Sequence, residues 1–200
     1  MRPPAAPMLS LEGVVKTRSQ AGSRFTLRVP RFSVGAGQLV ALVGASGCGK
    51  STLLDMLALV MAPSEVARFE MSPATGGTTH DVRALWADED EAALAALRRD
   101  HLGYVLQTGG LLPFLNVHDN IALPGRIKGG APDPARIAAL ATRLGVAGCL
   151  ARMPDSLSIG QRQRVAILRA LAHRPRLVLA DEPTAAVDKA RARAIMDDMQ

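Results

Sequence analysis

Eight consecutive residues, Gly44-Ala45-Ser46-Gly47-Cys48-Gly49-Lys50-Ser51, put a lysine and a hydroxyl at the end of a glycine-rich run. The spacing Gly-x4-Gly-Lys-Ser suits one chemistry above others, the cradling of a phosphate chain. Glycines let the backbone wrap around a phosphate with its N–H groups pointing inward. Lys50 would reach the β- and γ-phosphates, the Ser51 hydroxyl would ligate Mg²⁺, and Thr52 completes the cofactor-binding run. A helix starting near Lys50 would add the partial positive charge of its N-terminus.

Two further groups complete such a site. Asp181 and Glu182 follow the apolar run Leu177-Val178-Leu179-Ala180. A carboxylate at the end of a buried parallel strand lies at the carboxyl edge of its sheet, where ligands bind in open α/β folds. Asp181 would hold the Mg²⁺ shell and Glu182 would polarise an attacking water. Ser158, Gly160 and Gln161 open a long helical pattern, and there a hydroxyl and free backbone N–H groups would face an anion. By itself that pattern is only a helix cap.

These residues need a frame, and hydrophobic patterning supplies one. Leu9–Val15 and Phe25–Val34 read as strands. Gln38–Val43 is a short apolar run bounded by glycines, the pattern of a strand buried on both faces, and it feeds the glycine loop directly. Helices are expected over Thr52–Met61, Asp88–Arg99, Pro134–Leu144, Ile159–His173 and Lys189–Gln200. Short strands are expected over Leu102–Leu106 and Arg176–Ala180. Strands alternating with helices imply an α/β fold with a parallel sheet and a helical insertion.

Composition agrees with this frame. The 200 residues are 48% hydrophobic and 21% charged, which excludes disorder as the main state. Only 3% are aromatic, which argues against a β-sandwich or an aromatic platform for nucleic acid. Two cysteines, Cys48 and Cys149, cannot build a disulfide framework and suit a reducing compartment. Met1–Pro7 lacks the apolar stretch of a secretory signal. The run from Leu53 to Pro63 carries Asp55 and is far shorter than the ~20 residues of a membrane span. A soluble chain is expected, and its net charge of +6 favours anionic partners.

With Leu157-Ser158-Ile159-Gly160-Gln161 the chain resembles the ATP-binding cassette (ABC) ATPases, whose signature is Leu-Ser-Gly-Gly-Gln; Ile159 stands for the first glycine. The likeness extends to Leu102–Gln107, which resembles the Q-loop, and to Ala185–Asp188, which resembles the D-loop. Gly110–Pro124 resembles the lipoprotein-release and macrolide-export branch. The resemblance implies a P-loop NTPase (RecA-like) parallel-sheet core with an antiparallel β N-terminal part and a helical subdomain. It divides the chain into a nucleotide-binding core at 1–107, a helical subdomain at 108–157 and a signature segment at 158–200. It implies ATP and Mg²⁺ as cofactors, Gln107 at the Mg²⁺ and the lytic water, and a head-to-tail homodimer. In that dimer Ser158 and Gly160 of one copy clamp the ATP on Lys50 and Ser51 of the other, and Gln161 and Asp188 are further nucleotide-binding residues. Separate transmembrane permease subunits are the implied partners, with the chain cytoplasmic and peripheral on the inner face of the membrane. No direct nucleic acid contact is expected.

The sequence departs from that family in two places. Arg18 stands where an aromatic residue usually stacks on adenine, and a guanidinium can stack on a purine face. The family's switch histidine would follow Asp188 by a few tens of residues, and none of His80, His101, His118 or His173 holds that place. The resemblance puts the strand carrying it between Gln38–Val43 and the strand before Asp181. Residues 1–200 alone are therefore expected to be poorly soluble and to hydrolyse ATP negligibly. The alternatives are an ATP clamp without turnover and a soluble ABC ATPase acting on nucleic acid or ribosomes.

Overall fold

The computed structural model describes residues 7–20, 23–73 and 77–182. Two compact units divide the chain, Met1–Arg98 and Arg99–Gln200.

In the first unit, β1 (Leu9–Gln20) and β2 (Ser23–Val34) form a long antiparallel hairpin, in register from Leu9↔Val34 to Gln20↔Ser23. The expected strands are present, and β1 extends further toward the turn. Helix α1 (Lys50–Leu57) follows the glycine loop and buries Leu53, Leu54, Met56 and Leu57. Strands β3 (Arg68–Met71) and β4 (His80–Asp81) complete a sheet of order β2-β1-β3-β4. Leu9 opposes Met71 and Leu11 opposes Phe69, so all four side chains share one face, and none is more than 1% exposed. Each such burial contributes about 1.5–3 kcal/mol. Helices α2 (Val82–Ala87) and α3 (Glu91–His101) replace the single helix expected over Asp88–Arg99. Asp81 and Asp90 explain the division: each carboxylate accepts from a backbone N–H, of Ala84 at 3.0 Å and of Ala93 at 2.9 Å, and so starts its own helix.

The expectation for Gln38–Val43 fails. The segment forms no strand, and Leu39, Val40 and Val43 are 52%, 43% and 89% exposed. An apolar run becomes a buried strand only where neighbours take up its N–H and C=O groups, and among the described residues none pairs with it.

In the second unit, β5 (Leu102–Val105) and β6 (Leu177–Ala180) pair in parallel, from Leu102↔Leu177 to Val105↔Ala180. This is the parallel element of the expected α/β core. Helices α4 (Val117–Ile127) and α5 (Pro134–Arg143) pack against α6 (Ile159–Ala172), which packs against β5. Asn116, Asp133 and Ser158 cap their starts. Pro124 lies inside α4. Val105, Val117, Ile121, Ile137, Val165, Ile167 and Leu168 form the centre of the core. The helix expected over Lys189–Gln200 lies outside the described residues. Among the described residues no helix is long and apolar enough to cross a membrane.

Gly103 sets the distance between sheet and helix. A Cβ there would overlap the Ala170 carbonyl oxygen on α6 and stand 3.0 Å from Pro175 Cγ. A backbone carbonyl cannot move aside as a side chain can. Gly103→Ala is expected to destabilise this unit by at least ~1–3 kcal/mol. Urea unfolding of the full chain reads this as a lower midpoint, and an unchanged midpoint would contradict the packing described.

Candidate functional site

The glycine loop and its helix lie in the Met1–Arg98 unit. The Cys48 N–H donates to Ala45 O at 3.3 Å, tightening the loop, and the Leu53 N–H donates to Gly49 O at 2.9 Å to begin α1. Gly49 has φ of 104° and is the one residue type that fits. A Cβ at this position would meet Phe25 Cζ at 2.9 Å and Leu27 Cδ1 at 3.1 Å. The start of α1 has no side-chain cap and no acidic residue in its first turn, whereas α2, α4, α5 and α6 are each capped by a side chain. Its first N–H groups therefore remain available to an anion. Lys50 Nζ donates to Gly44 O and Ala45 O, both at 2.9 Å, so its charge is held by carbonyls at the loop. Ser46, Gly47 and Ser51 are exposed, and Thr52 is buried.

Arg18 is exposed and lies directly across from Phe25 in the hairpin, so the two side chains share a face. The Phe25 ring beside Gly49 was not singled out from the sequence, because only the folded position of β2 brings it to the loop.

The other candidate residues lie in the Arg99–Gln200 unit. The parallel ladder continues one step beyond β6, the Asp181 N–H donating to Val105 O at 2.9 Å. That step brings Glu182 beside the end of β5. Gln107 Nε2 donates to Glu182 Oε2 at 3.1 Å across 75 positions of sequence. Asp181 is half-buried and Glu182 exposed. At the start of α6, Ser158 and Gln161 form a reciprocal capping box. The Gln161 N–H donates to Ser158 Oγ at 3.2 Å, and the Ser158 N–H donates to Gln161 Oε1 at 2.9 Å. Gly160 lies in the first turn, and Ile159 is 69% exposed beside it. Asp188 lies outside the described residues.

The loop and the start of α1 suit the phosphates of a nucleotide. An uncapped helix start and a lysine resting on carbonyls supply donors to the phosphates. Among the described residues no three of His, Cys, Asp and Glu gather to hold a metal.

A glycine loop feeding an uncapped helix, with carboxylates at the end of a parallel strand, defines a P-loop nucleotide-binding protein. The chain belongs to the ABC transporter family, whose model matches residues 27–185. Over 196 residues it is 41% identical to the "Probable export ATP-binding/permease protein MacB" of Pseudomonas entomophila, an alignment covering 96% of this chain and 27% of that protein. Over 195 residues it is 40% identical to the "Lipoprotein-releasing system ATP-binding protein LolD" of Novosphingobium aromaticivorans, covering 96% and 82% respectively. Its fold matches a dimeric post-hydrolysis structure of the ATP-binding cassette MJ0796 bound to ADP and Pi. The TM-score is 0.81 at 31% identity, over 96% of this chain and 81% of that one. The chain spans about a quarter of the length of the export ATP-binding/permease relatives it matches.

Proposed function

We propose that this chain is the ATP-binding and ATP-hydrolysing part of an ABC transporter, driving export or lipoprotein release through a transmembrane permease. The observation that carries this reading is the uncapped start of α1 behind Gly44–Ser51, with Lys50 held at the loop by carbonyls. The names of the relatives support it: one is an ATP-binding/permease protein for export, another an ATP-binding protein of a lipoprotein-releasing system.

In this reading Gly44, Ala45, Ser46, Gly47, Cys48 and Gly49 wrap the phosphates with their N–H groups, Lys50 binds the outer two, and Thr52 supports the helix start. Ser51, Asp181 and Gln107 would hold Mg²⁺, which when bound would supply positive charge against the phosphate oxygens. Glu182 takes the proton of the attacking water, and its hydrogen bond to Gln107 fixes the direction of the carboxylate. The Ser158 hydroxyl accepts from its own helix and keeps its proton to donate to the γ-phosphate of a second copy. Gly160, Gln161 and Asp188 belong to the same shared surface. The division at 107 and 157 into core, helical subdomain and signature segment belongs to this reading, as does a place on the inner face of the membrane.

Light scattering of the full chain tests the shared site. Mg-ATP is expected to convert monomer to dimer, and Ser158→Glu, which sets a negative charge against phosphate, is expected to prevent it. A chain that stays monomeric at saturating Mg-ATP would contradict the head-to-tail arrangement.

A further inference from the structure

Gln107 occupies the second position of a tight turn closed by the Gly109 N–H, which donates to Leu106 O at 2.9 Å. Two side chains hold the loop that follows, one at each end. At the far end lies Asn120, fully buried on α4. Its Oδ1 accepts from the Leu112 N–H at 2.8 Å, and its Nδ2 faces Leu112 O at 3.0 Å and Leu115 O at 2.8 Å. At the near end lies Arg169 on α6. Its Nη1 donates to Gly110 O at 2.8 Å and its Nη2 to Gly109 O at 3.0 Å.

Burial is the one influence that shifts the Arg169 guanidinium, pushing its pKa down, and among the described residues no carboxylate accompanies it. Among the described residues this half-buried charge is held only by backbone carbonyls, an unusual arrangement, because arginine inside a protein commonly meets an acid. Its planar fork presents two donors at a fixed spacing, and here they span two successive carbonyls of the turn that carries Gln107. The same helix begins at Ser158.

Resting on the function proposed above, we infer that Arg169 is a positioning residue for Gln107. It fastens the Gln107 turn to the helix headed by Ser158, so that the Gln107 amide stays directed at Glu182. Without Arg169 the turn keeps one backbone hydrogen bond, and Gln107 samples directions in which Glu182 loses its partner. Turnover then falls. Nucleotide affinity does not, because Lys50 and the glycine loop make none of these contacts.

The test is a double-mutant cycle on steady-state ATP hydrolysis by the full chain with its permease partners, using Gln107→Ala, Arg169→Met and the pair. Each single change is expected to lower kcat by about tenfold to a hundredfold, with KM for Mg-ATP within about twofold of the parent. The double variant is expected to be no slower than Gln107→Ala, since a residue acting through Gln107 has nothing left to position. Arg169→Lys keeps the charge with one donor group and should fall between parent and Arg169→Met. If Arg169→Met fails to fold, the same cycle with Arg169→Lys decides the question. Multiplying effects in the double variant, or a raised KM with kcat intact, would overturn the inference and leave the proposed function standing. A Gln107→Ala variant at the parent rate would remove the catalytic role of Gln107 itself, and the inference with it.

Discussion

Replacing Glu182 by Gln will nearly stop ATP hydrolysis and leave ATP binding in place. The carboxylate accepts a hydrogen bond from Gln107 Nε2 at 3.1 Å, and the amide oxygen of a glutamine accepts the same bond. Shape and orientation therefore survive the change, and only the basicity is lost. A positioned general base is worth about 10²–10⁴ in rate, equivalent to about 3–5.5 kcal/mol of barrier. Single-turnover phosphate release should slow by that factor. Bound nucleotide should persist, and in the shared-site arrangement it should hold two copies together. Hydrolysis at the parent rate would remove Glu182 from the reaction.

Lys50→Ala acts on the step before. Lys50 Nζ rests on Gly44 O and Ala45 O at 2.9 Å each, so the ammonium stands at the loop before any phosphate arrives. Charge-assisted contacts to the two outer phosphates account for about 2–4 kcal/mol of binding. Mg-ATP affinity should fall roughly 30- to 1000-fold in calorimetric titration. The fold should persist, because the side chain lies at an exposed loop and fills no part of the core. Lys50→Arg is not a conservative change, since a broad guanidinium fork cannot occupy the space of a compact ammonium. Affinity unchanged in Lys50→Ala would displace the phosphate site from Gly44–Ser51.

What the sequence made legible was local. The glycine spacing of Gly44–Ser51 and the helix after it are encoded within a dozen residues. So is the cap at Ser158, where Gln161 three positions later completes the box. Asp181 and Glu182 were placed at a strand end by the apolar run before them, and β6 ends at Ala180 as that requires. Non-local structure was harder. Gln38–Val43 has the composition of a buried strand, yet burial is conferred by neighbouring strands and not by the run itself. Strand β3 escaped notice because Arg68-Phe-Glu-Met71 is four residues long and contains no β-branched side chain. Its existence depends on Leu9 and Leu11 across the ladder.

Arg169 shows a different kind of blindness. Its partners are the carbonyls of Gly109 and Gly110, and a backbone acceptor leaves no residue type for a reader of sequence to match. Asn120 escaped for the same reason: the groups facing it belong to the main chain of Leu112 and Leu115. The hydrogen bond from Gln107 to Glu182 spans two motifs that sequence could associate only through a family resemblance. Parallel pairing of β5 with β6, extended to Asp181, gives the physical cause of that meeting.

Phosphate release from Mg-ATP by the full chain with its permease partners, measured beside Lys50→Ala and Glu182→Gln, tests the central claim most directly. The account predicts Mg²⁺-dependent hydrolysis by the parent and near-complete loss in both variants, with ATP still bound by Glu182→Gln and not by Lys50→Ala. Equal hydrolysis by all three proteins, or none by the parent, would contradict it.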